Sequence, residues 1–361
     1  MSAPLLLSVF PTFAMGGAQS RFVTLVNHFG PAWRHAVVAM DGNTGARERL
    51  DPGLNLDFPK IEVRKGDTIG NLRRFRAALR ALRPAALLTH NFGSIEWAMA
   101  NRLRLVHQVH VEDGFGPEER NRQIPRRVWL RRLFLRGRTV ALPSRNLMRI
   151  ATEIWRLPPA SLRYVPNGID LARFAGPSTP PPWPGAGPIV GTVTALRPEK
   201  NLGRLVRAFH LAAAGSPARL VLIGDGPERP GLEQLARELG IADRVHFAGH
   251  ISDPAPLIKA LDIFAMSSDT EQMPMSLLEA MAAGLPAVAT DVGDIRAMLP
   301  EAGRAFVTPL EDEALGQALG TLIRQPRLRE ELGAANRAKA EQDFSQHAMF
   351  QAWAGLLAGR Y

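Results

Sequence analysis

Residues 177–188 read PSTPPPWPGAGP, with six prolines and two glycines. Proline has no amide hydrogen and a fixed φ, so such a run cannot continue a helix or lie inside a sheet. It is expected to be a stiff connector between two separately folded bodies. In a chain of 361 residues, the stretch on each side is long enough to bury its own core.

Both sides carry the same rhythm. Before the connector, apolar runs at Leu5–Phe10, Ala36–Met40, Ala86–Leu88 and Arg104–Val109 alternate with helical patterns at Gln19–Phe29 and Asn71–Leu82. After it, strand candidates Ile189–Val193, Arg219–Ile223, Val245–Ala248, Ile263–Met266 and Ala287–Ala289 are separated by helices near 201–214, 230–239, 254–260 and 275–283. This alternation predicts an α/β protein with two Rossmann-like domains, each a parallel sheet wrapped by helices, with ligands outside the carboxyl ends of the strands. The tail from Phe344 sets Met349, Trp353, Leu356 and Leu357 at helical spacing. A terminal helix that returns to the first domain is expected there.

Composition removes several chemistries. With no cysteine, disulfides, thiolate metal sites and a cysteine nucleophile are all excluded. The early apolar run Leu5–Phe10 is too short to span a membrane and lacks a basic start, so a cytoplasmic location is expected. The net charge of +10 is uneven: residues 1–175 hold 27 Lys and Arg against 13 Asp and Glu, while residues 176–361 hold 17 against 21. A basic first half suits an anionic membrane, a polyanionic acceptor or nucleic acid, although an arginine-rich composition with only five lysines accounts for the sign equally well. The run at 120–138 holds eight arginines and no acid. Val128, Trp129, Leu133 and Phe134 within it could face an anionic membrane at the inner side of the cytoplasmic envelope, or cover the first sheet with the arginines in water. The segment lacks the interleaved aromatics of a nucleic-acid surface, so no nucleic-acid partner is expected.

The chemistry concentrates in SDTEQMPMSLLEAMAAGLPAVATDVGD at 268–294. A loop carboxylate, Glu271, precedes Pro274 and a helix whose first amides, at Met275, Ser276 and Leu277, have no partner one turn earlier. Such a helix start suits an anion. Glu279 lies eight residues after Glu271, an offset of about 80° on an ideal helix, so the two suit different parts of one ligand. GTVTALRPEKN at 191–201 ends a strand and offers Arg197 and Lys200 to phosphates. Gly16 and Gly17 follow the first strand, and Gly224-Asp225-Gly226 and Gly249-His250 close two others. Each glycine pair is either a turn or a place where backbone approaches a ligand closely. His110 in VHQVHVEDG stands just past a strand, with Glu112 and Asp113 available to orient a hydroxyl and His107 expected in the core. No Asp-x-Asp occurs and no metal-ligand spacing stands out, so no metal is expected.

These residues resemble the retaining glycosyltransferases of group 1, also called glycosyltransferase family 4. The resemblance is strongest over 189–300 and is carried further by FAMGGAQ, HVEDG and VPNGIDLARF at 165–174. It implies a GT-B fold, with parallel sheets facing across a cleft: an N-terminal acceptor-binding domain (1–176), the Pro-rich linker (177–188), a C-terminal nucleotide-sugar-binding domain (189–343) and a C-terminal crossover helix (344–361). It implies a nucleotide-diphosphate sugar as co-substrate, no further cofactor, and a glycan or lipid-linked acceptor. Glu271 and His110 would contact the transferred sugar, and Lys200 with Arg197 would hold the phosphates. Gly16, Gly17, Gly224, Gly249 and the amides of Met275, Ser276 and Leu277 would line the donor, and Glu279 would accept the ribose hydroxyls. Two positions depart from the pattern: Gln272 stands where the family has glycine, and Ala195 where its phosphate-binding arginine usually sits. The competing expectations are an epimerase or phosphorylase on the same fold, or a non-catalytic nucleotide-sugar-binding protein.

Overall fold

The computed structural model describes residues 3–119, 122–176, 178, 183 and 185–359. Two parallel sheets organise it. The first contains β1 (Leu5–Phe10), β2 (Arg34–Ala39), β3 (Leu56–Asp57), β4 (Ala86–His90), β5 (His107–Val111), β6 (Thr139–Leu142) and β7 (Leu162–Tyr164), in the order β3-β2-β1-β4-β5-β6-β7. The second contains β8 (Ile189–Val193), β9 (Arg219–Ile223), β10 (Val245–Gly249), β11 (Ile263–Met266), β12 (Ala287–Thr290) and β13 (Val307–Thr308), in the order β10-β9-β8-β11-β12-β13. Every pairing between these strands is parallel.

Strand sequences that are apolar on both faces force this arrangement, because only helices on each side can cover them. In the second sheet Ile189, Val221, Ile223, Phe264 and Met266 pack on one face, while Val190, Leu220, Leu222, Ile263 and Ala265 pack on the other. The first sheet divides in the same way, with Leu6, Leu88 and Val109 on one face and Leu7, Val9 and Leu87 on the other. In each sheet the direction of winding reverses once, between β1 and β4 and between β8 and β11. A crevice opens outside the carboxyl ends of the strands at such a reversal.

The chain divides into one unit of Met1–Pro166 with Met349–Tyr361 and another of Asn167–Ala348. The divide precedes the proline run by ten residues because 167–174 belongs to the second core: the Asn167 side chain donates through Nδ2 to the Met273 carbonyl at 3.1 Å, and Ile169 and Phe174 are buried there. Of the connector, 177, 179–182 and 184 lie outside the described residues, while Trp183 packs against the second core. The terminal helix, Gln346–Leu357, lies on the first sheet, where Met349, Trp353, Leu356 and Leu357 meet Leu6, Leu88 and Val109. The crossover read from helical spacing is therefore present. His107 Nε2 also bonds the Leu356 carbonyl at 2.9 Å.

Trp353 is 2% exposed. Trp353→Ala is expected to cost the first unit about 3–5 kcal/mol of unfolding free energy, as large-to-small core changes do. Urea unfolding followed by circular dichroism measures it.

Candidate active site

At the reversal in the second sheet, two loops leave neighbouring strands and are tied together. Lys200, after β8, places its ammonium 2.6 Å from Oε1 of Glu271, after β11. Both side chains are mostly buried, and the Ser268 hydroxyl donates to the same carboxylate oxygen at 2.8 Å. A frame holds the pair in place. Asn201 adopts a left-handed conformation (φ 43°), and its side chain accepts from the Arg204 amide to start the helix Leu202–Ala212. Its amide group also donates to Asp269 at 3.1 Å, and Arg204 bridges to Asp269 at 2.8 Å and to the Ser267 carbonyl at 2.7 Å. The Ser267 hydroxyl returns a bond to the Lys200 carbonyl at 3.0 Å. From β12, the backbone of Gly293 lies so close that a Cβ there would sit 2.3 Å from the Glu271 carbonyl oxygen.

Glu271 thus stands in the loop, and the helix Met275–Ala282 begins after it with Pro274 as its cap position and no side-chain cap. The first amides of that helix, at Met275, Ser276 and Leu277, have no carbonyl one turn earlier, so they and the helix dipole favour an anion. Glu279, one turn in, is partly buried and bonded to no side chain among the described residues. Burial pushes its carboxyl up to about 7, with Arg173 opposing the rise and Asp253 adding to it.

Gly224 and Gly249 also meet at this end of the sheet, the Gly224 amide donating to the Gly249 carbonyl at 2.9 Å. Gly224 has φ +140°, and a Cβ would fall 1.8 Å from the Thr194 carbonyl oxygen, so its own fold demands a glycine. Arg197 is different. It is exposed, and no described side chain pairs with it or draws it towards Lys200. Ala195, beside it, is exposed as well.

In the first unit, Gly16 and Gly17 are exposed at the start of the helix Gly17–Phe29, after β1. A Cβ on Gly17 would meet open space, so packing does not require glycine there. His110 differs from its sequence reading. The strand begins three residues later than expected and extends through Val111, so His110 is a fully buried strand residue and His107 is the half-buried one. Its Nδ1 lies 2.9 Å from the Thr89 hydroxyl and its Nε2 3.4 Å from Glu112. Both ring nitrogens thus have partners within the first unit. Glu112 is also fully buried and serves Arg131; burial raises its carboxyl, but Arg131 and His110 outweigh burial and hold it below the ordinary range. Asp113, bonded to Arg21 at 2.6 Å, is the less buried of the two adjacent acids.

The arginine run is corrected in the same way. Arg120 and Asn121 lie outside the described residues; Arg131, in the helix Pro125–Leu135, is fully buried between Glu112 and Glu119 and stacks on Phe92, Phe115 and Trp155 at 4.9–5.4 Å. Val128 and Phe134 turn inward against the core, and only Trp129 (57% exposed) and Leu133 (44%) remain outward. Among the described residues no group of three or more His, Cys, Asp or Glu stands close enough to hold a metal ion, and no helix is long and apolar enough to cross a membrane.

With this geometry in place, comparison with known proteins is informative. Residues 179–339 match the model of glycosyl transferases group 1, and residues 15–173 match that of glycosyltransferase family 4. The chain belongs to this glycosyltransferase family. Among relatives, it is 32% identical over 167 residues to the lipopolysaccharide core biosynthesis glycosyltransferase LpsE of Rhizobium meliloti, covering 44% of this chain and 49% of that protein. It is 30% identical over 224 residues to a GDP-mannose-dependent alpha-(1-6)-phosphatidylinositol monomannoside mannosyltransferase of Mycolicibacterium smegmatis, covering 56% and 58%. The chain thus spans about half the length of the curated relatives it matches. Anabaena HepE, crystallised in complex with UDP and glucose, has the same fold, with a TM-score of 0.83 over 99% of this chain and 100% of that one at 19% identity. Both units of this family member are therefore Rossmann-like, as in GT-B glycosyltransferases.

Several residues that build the site were not singled out by sequence reasoning: Ser268, Asn201, Arg204, Asp269 and Gly293. Asn201 carried a usable signal, since an asparagine immediately before a helix is a capping residue. Arg204 and Asp269 carried none, because their pairing joins positions 65 residues apart.

The raised Glu279 carboxyl has a testable sign. A folded-state value above the ordinary 4.5 means that the stability present at low pH is lost as pH rises through about 7. Glu279→Gln is expected to stabilise the protein by about 2 kcal/mol more at pH 8 than at pH 5. Urea unfolding of both proteins at the two pH values checks this.

Proposed function

We propose that this protein is a retaining glycosyltransferase that moves a sugar from a nucleotide-diphosphate sugar to a glycan or lipid-linked acceptor in cell-surface polysaccharide or lipopolysaccharide synthesis. The observation that carries the reading is the Lys200–Glu271 pair at the strand-order reversal of the second sheet, beside the uncapped helix Met275–Ala282. A cation, a row of free amides and a carboxylate within one crevice suit a diphosphate joined to a sugar. The UDP and glucose held by HepE and the lipopolysaccharide role of LpsE support the same class of donor and product.

In this reading the diphosphate leaves through an oxocarbenium-like state. Lys200 and the amides at 275–277 take up the negative charge that develops on it, and no metal is required. Once the phosphate engages Lys200, the Glu271 carboxylate is released towards the sugar and stabilises the positive charge at the anomeric carbon. The acceptor attacks from the face the diphosphate leaves, its proton passing to the departing phosphate oxygen, so no separate base is needed. Glu279 accepts the ribose hydroxyls, Arg197 is free to swing towards the phosphates in place of the arginine missing at Ala195, and the backbones of Gly224 and Gly249 border the nucleotide. Gly16 and Gly17 leave room at the first unit's helix start, and Asp113, held by Arg21, orients an acceptor hydroxyl.

The exposed pair Trp129 and Leu133, flanked by Arg126 and Arg136, supports peripheral contact with an anionic membrane, and the proposed location is the inner face of the cytoplasmic membrane. Transfer from a panel of nucleotide sugars by purified protein tests the central assignment. Lys200→Ala and Glu271→Ala are each expected to lower kcat/KM by roughly 100-fold or more, the size of a lost charge-stabilising group. Transfer at the wild-type rate by either variant would overturn it.

A further inference from the structure

At the opposite end of the first sheet, before the strands begin, the first unit carries a second basic feature that the transfer reaction does not use. An open cavity of about 330 Å³ lies beside the amino-terminal ends of β5 and β6, with Arg104, His107, Arg138 and Thr139 in its lining. A neighbouring cavity of about 520 Å³ shares Leu105 and Val106 with it and adds Arg80 and Arg83. Among the described residues no acid lines either cavity.

The arginines are held by backbone rather than by carboxylates. Arg104 donates to the Gly137 carbonyl at 3.2 Å, while Arg138 donates to the carbonyls of Asn101 and Arg102 at 2.7 and 3.1 Å. Gly137 has φ +74°, and a Cβ there would lie 2.9 Å from the Arg104 guanidinium, so a glycine lets the two approach. Burial, and then the nearby Arg104, depress the Arg138 guanidinium below its ordinary value. Like charges brought together without a counter-charge oppose folding, and an anion seated between them reverses the sign of that interaction. The planar fork of a guanidinium matches the oxygens of a phosphate better than those of a neutral ligand. Beside the cavity, Leu103 is 66% exposed, and the adjoining Leu105 is also exposed.

We propose that Arg104 and Arg138 form an anion site for a phosphate group, separate from the proposed donor site, supplied either by a phospholipid headgroup or by free phosphate. Arg80 and Arg83 extend the same positive surface for a second charge of the ligand.

The test titrates inorganic phosphate and diphosphate by calorimetry, and measures co-sedimentation with phosphatidylcholine vesicles with and without phosphatidylglycerol. Both use the full chain carrying Lys200→Ala, which weakens the donor site, and the dependence on Arg104 separates this site from any anion still held there, so failure of that reading leaves this result intact. Arg104→Gln is the deciding variant, because Arg104 is exposed and its loss leaves the fold standing; Arg138→Gln is the second. Each is expected to weaken binding roughly tenfold, the cost of losing a charge-assisted hydrogen-bond donor. Binding of the free anions that falls with Arg104→Gln assigns the site to soluble phosphate. Binding of phosphatidylglycerol vesicles alone, again reduced by Arg104→Gln, assigns it to a lipid headgroup. The proposal is overturned if neither probe binds, if Arg104→Gln binds as tightly as its parent, or if vesicle binding depends on Trp129 and not on Arg104.

Discussion

In the second sheet the strands wind outward from β8 in one direction and from β11 in the other, so the loops that follow these two neighbours part and leave a crevice between them. The ion pair of Lys200 and Glu271 spans that crevice. Everything around it keeps the pair in register: Asn201 and Arg204 grip Asp269 from the β8 side, and Gly293 presses its backbone against Glu271 from the β12 side. An ion pair this far out of water gains Coulomb energy only in good geometry, and removing one partner leaves an uncompensated charge. In the proposed function, the frame holds positive and negative groups ready for a ligand that carries both signs in its transition state.

The first unit solves a similar problem with different chemistry. Its fully buried Arg131 ties Glu112 and Glu119 together beneath Phe92, Phe115 and Trp155, so the loop after β5 rests on a charged anchor. That anchor explains why the segment richest in arginine is not simply a solvated face. Part of its charge is structural, part points outward beside Trp129, and part lines the cavity at the amino ends of the strands.

Much of this was legible in the sequence. Leu5–Phe10, Ile189–Val193, Arg219–Ile223 and Ile263–Met266 are strands at their expected bounds, because uniformly apolar runs bordered by turn residues leave little choice. The crossover helix was legible from the spacing of Met349, Trp353 and Leu356. Two-residue strands such as Leu56–Asp57 and Val307–Thr308 were not, since they exist only through their neighbours. His110 was misplaced because a polar residue after Val109, followed by Glu112 and Asp113, reads as a strand end, whereas β5 runs on through Val111. Asp113, the less buried of the two adjacent acids, could be separated from fully buried Glu112 only once Arg131 was seen to reach the latter from 19 residues away. Lys200 and Glu271 were each visible as candidates, but their contact across 71 residues was not.

In the proposed function, Lys200 exchanges its carboxylate partner for a phosphate. The most direct measurement is a double-mutant cycle on folding stability, using Lys200→Met, Glu271→Gln and the double variant, with and without a saturating nucleoside diphosphate. Without nucleotide the coupling between the two positions is expected to be about 1–3 kcal/mol, as for side chains in direct contact. With nucleotide it should fall towards zero as the phosphate takes the lysine. An undiminished coupling in the presence of bound nucleotide would contradict the account.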